Sequence, residues 1–223
     1  DIIIGAFGAS PGGANTAGES YIVFGTATPF TASLDLSTLN GTNGFVLNGI
    51  DAYDAIGKSV SSAGDVNGDG VDDILIGAPF ATPGGQSYGA GESYIVFGKN
   101  TAVVGPFAAS VNLSTLNGTT GFVLNGIDAY DRSGFSVSSA GDVNGDGIDD
   151  IIIGAYVADP GGRNFGGESY IVFGGPGIGA GGSIELSALN GTNGFVLNGI
   201  DAHDRSGRSV SSAGDVNGDG VHD

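Results

Sequence analysis

Gly64-Asp65-Val66-Asn67-Gly68-Asp69-Gly70-Val71-Asp72-Asp73 recurs, almost unchanged, at residues 141–150 and 214–223. With Asp65 as position 1, the oxygen-bearing side chains fall at positions 1, 3, 5 and 9, and glycine stands at position 6. That is the donor set a hard dication needs from a short stretch of backbone, with the glycine permitting the sharp turn around it. The expected ligands are Asp65, Asn67, Asp69, the Val71 carbonyl and Asp73 in the first loop. In the second they are Asp142, Asn144, Asp146, the Ile148 carbonyl and Asp150, and in the third Asp215, Asn217, Asp219, the Val221 carbonyl and Asp223.

An EF-hand shares the first half of this spacing but closes with a bidentate Glu at position 12 between two helices. Position 12 here is Ile76 or Ile153, inside an apolar run. The loop therefore closes at position 9 and belongs in a β-hairpin. Oxygen-only donors select Ca²⁺ over zinc or copper, and Mg²⁺ fits less well because it prefers a tight octahedron and keeps its waters. The expectation is three Ca²⁺ ions, one per loop. A metal-free Asn-Gly-Asp-Gly hairpin turn is the simpler alternative, and three copies with the same donor types argue against it.

Outward from the loop, the whole chain repeats. Asp65, Asp142 and Asp215 stand 77 and 73 residues apart. Asp73-Ile-Leu-Ile-Gly-Ala matches runs beginning at Asp1 and Asp150, and Gly-Glu-Ser-Tyr-Ile-Val-Phe-Gly begins at Gly18, Gly91 and Gly167. Asn-Gly-Thr-X-Gly-Phe-Val-Leu-Asn-Gly-Ile-Asp-Ala begins at Asn40, Asn117 and Asn190, and a Ser/Val/Ala run leads into each loop from Gly57, Gly134 and Gly207. These runs are too short for helices and rich in β-branched residues, so each unit reads as four strands, some apolar at successive positions and hence covered on both faces. The small residues of Ser59–Val66 suit a strand packed against other backbones. A helical turn is expected near Leu34–Leu39.

Four dissimilar strands in about 70 residues, repeated, outline a β-propeller blade rather than a β-solenoid coil. The expected architecture is all-β, with a partial blade over 1–52, blades over 53–129 and 130–202, and a partial blade over 203–223. Asp1 and Asp223 both take the ninth loop position, so the reading expects a fragment or open arc of a longer propeller.

The 223 residues include 45 glycines, no cysteine and a net charge of −18. Apolar clusters at regular intervals argue against disorder. Lack of cysteine excludes disulfides and thiol chemistry, six Lys and Arg argue against nucleic-acid binding, and no apolar run is long enough to span a membrane.

Gly57-Lys-Ser-Val, the Asp65–Asp73 loop, Gly77-Ala-Pro79 and Glu92-Ser-Tyr-Ile-Val-Phe97 together resemble the FG-GAP repeat of integrin α-subunit propellers and of many bacterial surface proteins. The resemblance implies a seven-bladed propeller with Ca²⁺ in the hairpin between the first and second strands of a blade. It departs in detail: the "FG" pair is Ile56-Gly57, Ser133-Gly134 and Ser206-Gly207, "GAP" is complete only at Gly77–Pro79, and His222 replaces the aspartate of position 8.

Other patterns weigh less. Gly177, Gly179 and Gly182 fit G-x-G-x-x-G without a βαβ unit around them. Glu19, Glu92 and Glu168 recur with the unit and read as structural, since a catalytic acid breaks repeat symmetry. His203 and His222 do not recur and read as surface residues. The expected function is a Ca²⁺-stabilised extracellular or cell-surface adhesion module for protein or glycan ligands, bound on the face opposite the loops. Alternatives are a non-catalytic propeller region of a secreted hydrolase or lyase, such as the phospholipase D-type enzymes that FG-GAP repeats accompany, and a structural spacer of a large surface protein.

Overall fold

In the computed structural model, residues 1–85 and 88–223 are described. Strands β1 (Ile2–Ala6), β2 (Glu19–Val23) and β3 (Gly44–Asn48) form a first antiparallel sheet. Strands β4 (Ser59–Gly64), β5 (Asp73–Ala78) and β6 (Glu92–Val96) begin a second, and β7 (Ser110–Asn112) leaves it to pair with the first. Strand β8 (Gly121–Asn125) completes the second sheet. The third contains β9 (Ser136–Gly141), β10 (Asp150–Ala155), β11 (Glu168–Val172) and β13 (Gly194–Asn198), while β12 (Ser183–Glu185) returns to the second. The result is an open, propeller-like arrangement of three blades.

Apolar side chains at successive strand positions point to opposite faces, so the middle sheet feeds two cores. Leu75, Ile95, Phe122 and Leu124 pack against Ile151, Ile153 and Tyr170 of the third sheet. Ile76, Tyr94 and Val96 face the other way, against Ile22, Phe45 and Leu47 of the first. The cores therefore lie between sheets, as the consecutive Ile/Val runs require. Strand β4 lies against β9, and a Val137 N–H to Ser59 Oγ bond of 3.0 Å ties the two together.

The four-strand reading of each unit proves incomplete. Strands β7 and β12 add in parallel to β3 and β8, so each of the first two sheets is finished by a segment from the following unit. Each donated strand carries a fully buried leucine just after it, Leu113 or Leu186. Phe107 stacks on Phe45 at 4.3 Å beside the first. Beside the second, Gly179 lies directly over the Phe122 ring, where a Cβ would come within 2.2 Å. Within the G-x-G-x-x-G pattern, Gly179 thus serves packing. Three-residue strands with one central apolar side chain leave no periodic signal, which is why the sequence hides them.

Strand β13 receives no such partner among the described residues. Its Phe195 and Leu197 are 38% and 48% exposed, whereas Phe45, Leu47, Phe122 and Leu124 are fully buried. Residues 207–214 form no strand either. The expected helical turn is a 3₁₀ turn at Leu36–Thr38, capped by Asp35, whose carboxylate accepts from Ser37 N at 2.9 Å.

The glycine of the GAP motif faces the glycine of the next unit's FG pair. A Cβ on Gly77 would lie 1.9 Å from the Gly134 carbonyl oxygen, a backbone atom that cannot swing aside. Gly77→Ala therefore forces the second and third sheets apart. A thermal melt followed by far-UV circular dichroism is expected to show a loss of about 1–3 kcal/mol or more; an unchanged midpoint would mean the sheets can separate freely.

Candidate metal centre

The first two loops each join the inner strand of a sheet to its neighbour, β4 to β5 and β9 to β10, and a register shift at the mouth lets the strands open around them. Inside the first loop, Asp65 Oδ1 accepts from Gly68 N at 2.9 Å and Asp69 N at 3.0 Å, and its Oδ2 accepts from Gly70 N at 2.7 Å. Asn67 Oδ1 accepts from Asp69 N and Asp69 Oδ1 from Val71 N, both at 2.9 Å. The second loop repeats the pattern through Asp142, Asn144, Asp146 and Ile148, and the third through Asp215, Asn217, Asp219 and Val221. Positions 1, 3 and 5 thus curl around their own backbone N–H groups, and the position-7 residues begin the return.

Position 9 is used differently. Asp73 is 1% exposed, and its two oxygens accept from Val66 N at 3.1 Å and from Gly98 N, just past β6, at 2.8 Å. Fully buried Asp150 does the same with Val143 N and Gly174 N. Asp1 accepts from Gly25 N at 2.8 Å, so it occupies the ninth-position place of the first sheet. Asp223 is exposed and accepts from Val216 N at 2.9 Å. This carboxylate staples the loop to its sheet.

Burial pushes the Asp73 carboxyl up to about 7, with Asp69 and Asp65 adding repulsion, and pushes Asp150 up to about 6. Backbone N–H groups, Gly220 N foremost, hold the exposed Asp215 below the usual carboxylate range. Among the described residues no three acidic or histidine side chains converge into a ready cage. The donor chemistry fits a hard cation nonetheless, with oxygen donors throughout and a buried carboxylate facing two others.

Position 8, given no role from the sequence, joins neighbouring loops. Asp149 Oδ2 accepts from Asp65 N at 3.0 Å, and His222 Nδ1 accepts from Asp142 N at 3.0 Å while its own N–H donates to the Asp142 carbonyl. Ile148 reaches over Gly68 and Val221 over Gly145 in the same direction. The signal was available: all three position-8 residues are hydrogen-bond acceptors, which is what Asp and neutral His share. Asp72 lines a cavity of about 580 Å³ with Asp1 and Ser61.

The order of elements across this site, inner strand, aspartate loop, GAP strand and Glu-Ser-Tyr strand, coincides with a known family unit. The FG-GAP repeat family matches residues 57–96 and 133–172. The chain carries FG-GAP repeats. Integrin alpha-PS2 of Drosophila melanogaster is 34% identical over 140 residues, 61% of this chain and 9% of that protein. Integrin alpha-5 of Xenopus laevis is 34% identical over 131 residues, 52% of this chain and 11% of its own length. Phosphatidylinositol-glycan-specific phospholipase D of Dictyostelium discoideum is 31% identical over 180 residues, 80% of this chain and 18% of that enzyme. The matched stretch thus spans less than a fifth of each of these relatives. No helix among the described residues is long and apolar enough to cross a membrane.

At the opposite end of the two matched sheets sits a second acidic group. Glu92 accepts from the Tyr94 hydroxyl and Glu168 from the Tyr170 hydroxyl at 2.6 Å, a structural use of the recurring glutamate. Buried Asp54 and Asp131 are both pushed up to about 7, by desolvation first and then by neighbouring acids, Glu92 and Asp51 for the one, Asp128, Glu168 and Asp159 for the other. A carboxyl whose folded pKa lies above its unfolded value near 4 contributes most below pH 4 and loses that contribution as pH rises through about 7. Urea unfolding without metal is expected to show stability falling from pH 5 to pH 8, with Asp54→Asn plus Asp131→Asn flattening the slope. A slope unaltered by both substitutions would assign the titration elsewhere.

Proposed function

We propose that this chain is a Ca²⁺-stabilised extracellular or cell-surface binding module, a propeller region that presents protein or glycan ligands with the face opposite its aspartate loops. The observation that carries the ion is the donor set itself: three loops of identical oxygen types, each closed by a position-9 carboxylate that is buried in the two complete sheets. Asp65, Asn67, Asp69, the Val71 carbonyl and Asp73 would hold one ion, with the equivalent residues of the second and third loops holding two more. A bound dication would neutralise carboxylates that otherwise repel one another. Asp149 and His222 would keep neighbouring loops aligned from outside the ligand set.

The integrin relatives support the adhesion half of the reading; the proposed units run over 53–129 and 130–202. The two histidines have packing roles, His222 between loops and His203 against Phe165 at 5.6 Å, which favours binding over catalysis. The phospholipase D relatives favour one second reading, a non-catalytic propeller region within a longer secreted hydrolase. A bound Ca²⁺ has the same structural role under both.

At affinities of roughly 0.1–1 mM, about 1 mM Ca²⁺ stabilises such a fold by about 0.4–1.4 kcal/mol per site. Differential scanning calorimetry is expected to show a higher melting temperature in excess Ca²⁺ than in EDTA, and Asp65→Ala with Asp142→Ala should shrink that difference. Superimposable melts in Ca²⁺ and EDTA would rule the ion out as a structural partner.

A further inference from the structure

Donated strands β7 and β12 have a counterpart in the first unit. There, Pro29-Phe-Thr-Ala-Ser-Leu-Asp-Leu36 aligns with Pro106-Phe-Ala-Ala-Ser-Val-Asn-Leu113. Phe107 stacks on Phe45 and Leu113 is buried, whereas Phe30 is 52% exposed, Leu34 is 40% exposed and Leu36 is only partly covered. A place for such a strand is open on β13 of the third sheet. A Cβ on Gly41 or Gly118 would strike the incoming backbone, at 2.1 and 2.4 Å, while their counterpart Gly191 faces open space. Phe195, the counterpart of Phe45, lies exposed beside it.

The inner edges are complementary in the same way. Ser209–Gly214 repeats the sequence of β4 and β9, and Asp1–Ala6 repeats Asp150–Ala155, the strand that β9 pairs with. Yet residues 207–214 form no strand, and β1 has no inner neighbour in its sheet among the described residues. Ile2 and Ile4 lie exposed where Ile151 and Ile153 are buried. The loops show a matching pair of groups. Asp149 and His222 each accept from the position-1 N–H of a neighbouring loop. Among the described residues, Asp72 is the acceptor and the Asp215 N–H the donor that remain over.

We propose that a second copy of this chain fills both edges, head to tail. Residues 209–214 of one copy pair with β1 of the next in the β9–β10 register, which sets Val210 opposite Ile4 and Gly214 opposite Asp1. Residues 33–35 of that next copy add in parallel to β13 of the first, with Phe30 against Phe195. Its Asp72 accepts from the Asp215 N–H of the first. One junction satisfies all three contacts, because the composite sheet stands as the next in the series. Each open edge matches an unpaired segment of the same chain in sequence, which singles out a copy of this chain as the occupant. Unpaired strand edges are templates for such addition. A heterologous contact of this kind gives a closed ring when its rotation closes. Two copies supply six sheets, within the usual range of about four to eight blades, and three would supply nine. The closed assembly is therefore a dimer.

The test is sedimentation velocity from about 1 to 100 μM in millimolar Ca²⁺ and about 0.5 M NaCl, which screens repulsion between chains of net charge −18. Twice the single-copy mass is expected at the upper end. Phe30→Ala with Leu34→Asp changes side chains that are exposed in the single copy. Ser211→Pro takes a donor from the ladder with Ile3. Each variant should weaken association by about tenfold or more and leave the melting temperature of dilute protein unchanged. Mixing the two leaves one junction intact, so the mixture is expected to associate where neither variant does alone. A single copy at every concentration overturns the proposal, as does association undiminished in either variant or a mixture no better than its parts. A parent that stays single yet binds a peptide of residues 29–39 assigns β13 to a further repeat of a longer chain and overturns the second copy as occupant.

Discussion

Neighbouring sheets in this chain approach until main chain meets main chain. At Gly5, Gly77 and Gly154 a carbonyl oxygen from the next unit occupies the place a Cβ would need, and most other features follow from that closeness. The inner strands must be built from Ser, Ala and Val, as β4 and β9 are, because larger side chains would hold the sheets apart. Buried hydroxyls at Ser20 and Ser93 are left without a protein partner beside these contacts. The remaining strands carry the large apolar residues that fill the space between sheets. Glycine is abundant here because a stacked architecture needs it at the junctions and in the turns.

The acidic loops extend the same serial logic to one end of the sheets. Each loop is organised internally by side chains accepting from its own backbone, anchored below by its ninth residue, and linked sideways by its eighth. Of these, the anchoring has the largest electrostatic cost, because it buries a carboxylate facing only N–H dipoles and other acids. Nearby, positive side chains are employed elsewhere: Lys58, Lys99, Arg132 and Arg208 lie over aromatic rings. The chain therefore concentrates negative potential in its loops without supplying its own counter-charge there.

The sheet class, the repeat phase and the loop positions were legible in the sequence because each rests on periodic or local chemistry. Asp1 could be placed at the ninth position from repeat phase alone, and its bond to Gly25 N bears this out. The Leu36–Thr38 turn was legible from its connection, as was the structural use of Glu92 and Glu168. What stayed hidden depends on contacts between units. Ser110–Asn112 and Ser183–Glu185 are strands only because a finished edge of the preceding sheet is within reach. Asp149 and His222 acquire a role only when two loops lie side by side, and a single unit shows position 8 as an idle surface residue.

The donated strands have a mechanical meaning. Because β7 belongs in sequence to the second unit and in space to the first, and β12 likewise links the third to the second, the units are clasped like links of a chain. Tension applied along the polypeptide cannot extract one blade without also peeling an edge from its neighbour. Load is thereby shared across each junction, and the blades yield together where separate beads would yield one at a time.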